Sequence, residues 1–472
     1  MKPASITAKI LCVLLLTALA AGLCAGCGKS AAPGPQNHVA LTLWHPYGQL
    51  MKTLMEELIE EFNETAGADK GISINITLVA NATEINEKLM AAVHGDPGAS
   101  AFPDLAVIYP DIGIILAKQG LLTDLSGLFS EAEFSRYVRA FLEEGKMGGD
   151  IPYILPVAKS TEVLYLNGTI FDRFAEDTGM DRSMLATFEG IQAVCEQYRE
   201  WSGGKDFFHC RDLFNLAMTG FHQLGEDLII GDGAGGGKLN LAPGAYERIW
   251  DAYYPAAVKG GAAVFDGFGN YLMAAGEIVC TLESSASVTF YPDTVTYADN
   301  TKEECELVIL PQPVFENGEK VALQRGGGMC VFSSDEQREY AAGVFLKWFT
   351  APEQNQRFTA QTGYMPVTEA AFGDLMAANL EGVADANVKK LLETVVQMQK
   401  EYRFYFPSVY DGIEEIQRRY NQSMLREMGN ARQVYLGALA APGPDARTAP
   451  DPGATYEAAS KGALERFKAE NQ

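Results

Sequence analysis

Between Ala40 and Tyr109 the chain alternates short apolar runs with amphipathic stripes, and this order restricts its fold more than any other feature. ALTLW, Ala40–Trp44, reads as a buried strand. LMKTLMEELIEEF, Leu50–Phe62, places apolar residues at 50, 51, 54, 55, 58, 59 and 62, one face of a helix. ISINITL then alternates Ile72, Ile74, Ile76 and Leu78, the period-two mark of a strand. Glu84–Val93 reads as helix and Pro103–Tyr109 as a third strand. A β-α-β-α-β order calls for an α/β layer on a largely parallel sheet. Such sheets take ligands beyond the carboxyl ends of their strands. His45, Pro46 and Tyr47 occupy that place after the first strand, and Pro110 and Asp111 after the third.

The stretch from Leu166 to Gly276 is mainly helical, broken at Gly203-Gly204 and at GDGAGGGK, residues 231–238. Strands return at EIVCTLE (277–283), ELVILP (306–311) and GMCVF (328–332). Helices dominate from Glu336 to the end, with a Pro/Ala/Gly-rich excursion at 440–455. The β-rich pieces lie apart in the chain, which predicts two α/β lobes that the chain crosses between more than once. A length of 472 residues, 47% of them hydrophobic, is ample for two large cores. The net charge of −24, from 37 basic and 61 acidic residues, repels nucleic acid and anionic membrane surfaces. It leaves room for a small anionic ligand, because a pocket can differ in sign from the whole.

The N-terminus, MKPASITAKILCVLLLTALAAGLCAGC, runs from basic residues through an apolar stretch to small residues, the pattern of a secretory leader over 1–26. Its end, Cys24-Ala25-Gly26-Cys27, resembles the lipobox of bacterial lipoproteins, with Cys24 where Leu is commoner. That resemblance implies acylation of Cys27 and a lipid anchor on the outer face of the bacterial cell membrane. Residues 27–37 would be anchor and tether, GKSAAPGPQN being Gly/Pro/Ser-rich. Cys195, Cys210, Cys280, Cys305 and Cys330 follow, an odd number without CxxC. They read as buried thiols, with one or two disulfides left open.

No enzyme motif stands out. The five histidines form no HExxH and none sits at zinc-ligand spacing from a cysteine; GxSxG is absent. Gly231, Gly233 and Gly236 satisfy GxGxxG but run into KLNLAP instead of a helix, so a phosphate would lack its helix N-terminus. A hairpin loop is the better reading. No catalytic residue, metal or cofactor is therefore expected. Four places do stand apart from plain core: Trp44-His45-Pro46-Tyr47, Lys159-Ser160-Thr161-Glu162, Glu283 to Ser287, and Arg325-Gly326-Gly327-Gly328. Glycine and hydroxyl residues let backbone amides approach a ligand, and aromatic rings offer an apolar face to a sugar. Each place alone reads as a turn or strand cap. Together and in order they read as a site.

In that order the chain resembles the extracellular solute-binding proteins of ATP-driven importers, the family that takes maltose, oligosaccharides and glycerol 3-phosphate. The matching pieces are TLWHPYGQLMKTLMEELIEEFN, PDLAVIYP, LPVAKSTEVLYLN, GEIVCTLESSAS, RGGGMCVF, FLKWFTAPEQNQRFTAQTGYMPVT and PSVYDGIEEIQRRY, spanning 41 to about 425. The resemblance implies a two-lobed, type II periplasmic-binding-protein-like α/β fold with a ligand cleft. Three crossings would fall near 155–161, 281–287 and 348–353. Lobe 1 would comprise 38–157 and 286–350, and lobe 2 would comprise 158–285 and 351–472. Carried over residue by residue, it implies ligand contacts from Ser160, Ser285 (or Ser284), Gly327, Tyr364 and Asp111 (or Pro110); Trp44, His45 and Tyr410 complete the candidate set. The glycerol-3-phosphate-binding branch has an arginine in the segment matching PSVYDG, where Val409-Tyr410 stand here. Lys159 and Arg325 either replace it or pair with Glu162 and Glu283.

The resemblance thus implies a monomeric receptor that hands its ligand to a membrane permease, and the missing arginine favours a neutral carbohydrate or polyol as that ligand. A glycerol-3-phosphate or glycerophosphodiester binder is the alternative. A surface-anchored carbohydrate-active enzyme and a scaffold with a degenerate cleft are the rivals of other classes.

Overall fold

The alternation at the start of the chain is realised strand by strand. In the computed structural model, which describes residues 33–472 apart from 35, 49, 148, 232–235, 243, 408–409, 411 and 442–449, strand Val39–His45 pairs in parallel with Ile72–Leu78 and with Leu105–Ile108. The expected leader and the candidate anchor Cys27 lie outside the described residues, as does most of the tether. Helix Leu50–Glu64 lays Leu54, Met55, Leu58, Ile59 and Phe62 on this sheet, the stripe its sequence carries. Helix Ala82–His94 starts at Asn81, whose side chain accepts from the Glu84 amide, and ends at Gly95 in the left-handed conformation. Pro110 opens the helix Pro110–Lys118, so Asp111 lies in its first turn, beyond the strand end.

The sheet is mixed, not wholly parallel. Its order is 72–78, 39–45, 105–108, 328–331, 154–156, and Gly328–Val331 runs antiparallel to both of its neighbours.

A second sheet of four strands has the order 307–311, 162–167, 280–284, 208–210. Every residue of Glu162–Asn167 is buried. Helices Gly168–Thr178, Phe188–Trp201 and Leu213–Gln223 contribute Phe171, Phe174, Phe188, Tyr198, Phe214 and Phe221 to its core. The 28-residue helix Ile413–Ala440 joins that core through Ile416, Tyr420, Met424, Met428, Ala431 and Tyr435, spaced three and four apart. The two ends of the GDGAGGGK segment lie on paired strands, Ile229–Gly231 running antiparallel to Gly237–Leu239, and the expected loop at 232–235 falls outside the described residues.

Two assignments differ from those expected. Leu307–Pro311, placed in lobe 1 by the division at 286–350, pairs with Val163–Asn167. One edge of Glu162–Asn167 is taken by Cys280–Ser284, and its other edge needs a ladder partner, which Leu307–Pro311 supplies. After 281–287 the chain therefore adds a separate pair of strands, 294–296 and 302–304, takes its place in the second sheet at Leu307–Pro311, and enters the first sheet only at Gly328–Val331. Beyond Phe349, helix Pro352–Thr362 packs on Leu50–Glu64 of the first lobe while helix Ala386–Glu401 packs on Leu307–Pro311 of the second. The third passage is thus a layer of helices bridging both lobes instead of a short link at 348–353. Among the described residues no helix is long and apolar enough to cross a membrane.

Candidate ligand-binding cleft

The polar run Lys159–Glu162 lies where the chain leaves the first sheet for the second, and each of its members is partnered. Ser160 and Arg325, on the outgoing and returning passages, exchange backbone hydrogen bonds of 2.9 and 2.8 Å. Lys159 does the same with Met365. Thr161 donates its hydroxyl to the Leu323 carbonyl at 2.9 Å, and its amide donates to Ser285 Oγ at 3.2 Å. Burial of these groups is tolerated because their hydrogen bonds are made inside the protein. The returning strand comes close enough to require glycine. Gly326 has φ +92°, and a Cβ there would lie 2.8 Å from the Ala158 carbonyl; one on Gly327 would lie 2.7 Å from that of Ile108.

The two cations flagged near the cleft are both engaged. Lys159 is 2% exposed and its Nζ lies 2.6 Å from Glu144 Oε2; it also donates to the Gly326 carbonyl. Burial lowers its pKa, and Glu144 opposes that. Lys159 is therefore a structural ion of the crossing, paired with neither Glu162 nor Glu283. Arg325, whose side chain is 35% exposed, reaches Glu162 Oε1 through Nη1 at 3.3 Å. Asn215 Nδ2 donates to the same oxygen at 3.0 Å. Burial pushes Glu162 up to about 7; Arg325 pulls it down, while Asp212 and Glu283 raise it. Glu283 accepts from the Gly269 amide, Ser287 and Tyr291.

Aromatic rings line the same region. Tyr364 meets Tyr47 edge-on at 6.0 Å and stacks on Phe358 at 6.3 Å. Burial raises the Tyr364 hydroxyl, Tyr109 adds to this, and Arg325 opposes it. Tyr109 is 39% exposed, with Arg325 and Asp111 close enough to shift its titration. A groove of about 480 Å³ opens between helix Pro110–Lys118 of the first lobe and the start of helix Ile413–Ala440 of the second. Asp111 and Ile115 line one side, Tyr410 and Glu414 the other, with Lys118 at its exposed rim. Burial and the neighbouring Asp111 raise Glu414.

The structure thus gathers Ser160, Ser285, Gly327 and Tyr364 around the crossing, and places Asp111 and Tyr410 across the groove. Ser285 Oγ already serves the Thr161 amide. Trp44 is different. It is 8% exposed and packs with Val79, Ile85, Leu89 and Ile112, so its indole belongs to a core. His45 is fully buried beside Tyr47, its ring nitrogens without hydrogen-bond partners among the described residues, and burial lowers it to about 4. Val409 lies outside the described residues.

Sequence reasoning did not select Tyr109, Asp212, Asn215 or Glu414 as site residues, and it named Glu162 only as a partner for Lys159 or Arg325, of which the structure realises the pair with Arg325. Tyr109 was legible from its place at a strand end beside Pro110. Asn215 and Asp212 carry no such signal, since a helix cap is their commonest use and Asp212 does cap Leu213–Gln223. Among the described residues no group of three or more side chains is arranged to hold a metal.

The profile of the family described as bacterial extracellular solute-binding protein matches residues 57–405, well over half of the chain. No curated protein sequence matches. Solved structures are similar in fold. The cyclic alpha-maltosyl-1,6-maltose binding protein of Arthrobacter globiformis superposes with a TM-score of 0.67 at 18% identity, over 91% of this chain and 100% of that one. The GacH receptor of Streptomyces glaucescens, solved unliganded and with acarbose, gives 0.61 at 16% over 92% and 98%. UgpB of Mycobacterium tuberculosis in complex with glycerophosphocholine gives 0.62 at 16% over 92% and 98%.

Proposed function

The chain belongs to the family of bacterial extracellular solute-binding proteins, and from that premise we propose that it is the receptor of an ATP-driven importer, capturing a neutral carbohydrate or related polyol and delivering it to a membrane permease. The carrying observation is that both candidate phosphate-binding cations have their charge matched by a carboxylate: Lys159 is buried against Glu144, and Arg325 faces Glu162. What lies around them is Tyr109, Tyr364, Tyr47, carboxylates and backbone amides, a lining suited to hydroxyl groups and the apolar faces of sugar rings. The sugar-binding neighbours support this class; the glycerophosphocholine complex marks the phosphate alternative, which this chain's lack of a free arginine in PSVYDG disfavours.

Ser160, Ser285, Gly327, Tyr364, Asp111 and Tyr410 remain the ligand contacts in this reading, with His45 behind Tyr47. The two lobes exchange between open and closed about the paired passages at 157–161 and 324–328, and ligand favours the closed form because only there do both lobes touch it. Cys27 carries the lipid anchor, and the protein acts as a monomer, binding one ligand without turning it over.

Thermal unfolding against sugars, oligosaccharides, polyols and glycerol phosphates tests the reading. A ligand at about 100 times its Kd adds roughly 2.7 kcal/mol. Stabilisation by a sugar or polyol is expected. Stabilisation by glycerol phosphates alone would refute the neutral-ligand reading, and release of a cleaved product would refute the receptor reading.

A further inference from the structure

Glu162 has an oxygen with nothing to do. The residue is 2% exposed, and its Oε1 takes both Asn215 Nδ2 and Arg325 Nη1 while Oε2 is buried without a hydrogen-bond partner among the described residues. A carboxylate oxygen so placed is costly unless something donates to it. Beside it the Arg325 guanidinium, with five N–H donors, has one engaged by a side chain among the described residues. The half-open side chain of Arg325 also lies near enough to Tyr109 and Tyr364 to pull the titration of both hydroxyls down.

We propose that Glu162 and Arg325 form a polar fork on the cleft floor that anchors adjacent ligand hydroxyls, and that Glu162 sets the charge the cleft accepts. This deepens the carbohydrate reading and rests on it. A hydroxyl donates to Oε2 and accepts from an Arg325 N–H, so a pair of neighbouring hydroxyls satisfies both prongs. A phosphate or carboxylate accepts from Arg325 but has no proton for Oε2. It also meets the charge of Glu162, with Asp212 and Glu283 close behind. Exclusion by a repulsive element is how specificity between ligands of similar size is commonly built. The fork is rigidly mounted. Arg325 is pinned by its backbone pair with Ser160, and Asn215 sits in the first turn of a helix whose cap, Asp212, also accepts from Gln417 and Asn421 of the long C-terminal helix.

The test is calorimetric titration of the wild type, Glu162→Gln and Glu162→Asp at pH 8. Maltose, maltotriose and glucose serve as neutral probes, and glycerol 3-phosphate and glucuronate as anionic ones; melting temperature confirms folding. Glu162→Gln is nearly isosteric and keeps an acceptor for Asn215. It is expected to bind the neutral probe at least tenfold more weakly than the wild type and to gain at least tenfold for an anion. Glu162→Asp keeps the charge and should keep the anions out. A Glu162→Gln protein that retains the wild-type preference, or that loses the sugar without gaining an anion, overturns the proposal. If the wild type takes no neutral probe but Glu162→Gln still gains the anions, the carbohydrate reading falls and the charge gate stands.

Discussion

Lys159 Nζ lies 2.6 Å from Glu144 Oε2, both side chains almost wholly buried, and the pair locks the helix Arg139–Glu144 to the first crossing. Gln324 of the returning passage donates to the same carboxylate. One ion pair therefore ties both passages between the lobes to the first lobe.

Removing one partner strands a charge in the interior, at a cost of about 3–5 kcal/mol. Lys159→Met is expected to lower stability by that amount in denaturant unfolding. The double variant with Glu144→Met should recover much of the loss. A single variant as stable as the wild type would show the pair to be solvated.

Tyr364→Phe keeps the ring against Tyr47 and Phe358 and removes only the hydroxyl. Loss of one ligand hydrogen bond of about 1 kcal/mol weakens binding roughly fivefold. Melting temperature should hardly move. Unchanged affinity for every ligand the wild type binds would take Tyr364 out of the site.

Gly326, at φ +92° with the Ala158 carbonyl behind it, has no room for a side chain. Gly326→Ala should cost about 1–3 kcal/mol in stability through backbone strain, before any effect on ligand. The matched substitution Gly95→Ala, at φ +68° with open space around its Cβ, isolates the conformational part of that loss.

Two buried groups give opposite slopes of stability with pH. His209, bonded to Thr281 and the Phe265 carbonyl, is lowered by burial to about 4. The folded state then binds fewer protons than the unfolded one between pH 4 and 6.5, so stability falls as pH drops through that window. Glu162, pushed up to about 7, holds a proton that the unfolded chain has lost, so stability falls as pH rises from about 4.5 to 7. In unfolding curves at pH 5 and pH 8, Glu162→Gln should therefore gain on the wild type at the higher pH, by up to about 3 kcal/mol. His209→Gln should gain at the lower. Parallel pH profiles for wild type and variants would refute both assignments.

Cys195, Cys210, Cys280, Cys305 and Cys330 are free and buried, and burial raises every one of these thiols above its ordinary range. They should resist a disulfide reagent in the folded protein and react together on unfolding. Reaction of any of the five under native conditions would contradict that burial.

The first lobe was legible because its elements are local. The stripe of Leu50–Phe62 and the alternation of Ile72–Leu78 need no distant partner to be read, and both form within two residues of the expected limits. The polar run at 159–162 was visible as an oddity in an apolar stretch. Its meaning was not, because Glu144, Met365, Arg325 and Asn215 come from four separate parts of the chain. Leu307–Pro311 failed for a related reason: an apolar run of five residues states that it is a strand, and nothing in it states which sheet has an edge to fill. Trp44 looked like a ligand platform since it ends a strand, yet its indole lies in the core beneath helices 82–94 and 110–118.

The helix Ile413–Ala440 has 28 residues, a length of about 42 Å at 1.5 Å each. Glu414 in its first turn confronts Asp111 across the groove, while Tyr420 to Tyr435 are built into the second core. It is accordingly a strut with one foot on the gap between the lobes and no joint along its span. Because the rod is built into the second core, the wall of the groove that carries Glu414 belongs to the second lobe and the facing wall, with Asp111, to the first, so the width of the groove is a direct gauge of how far apart the two lobes stand.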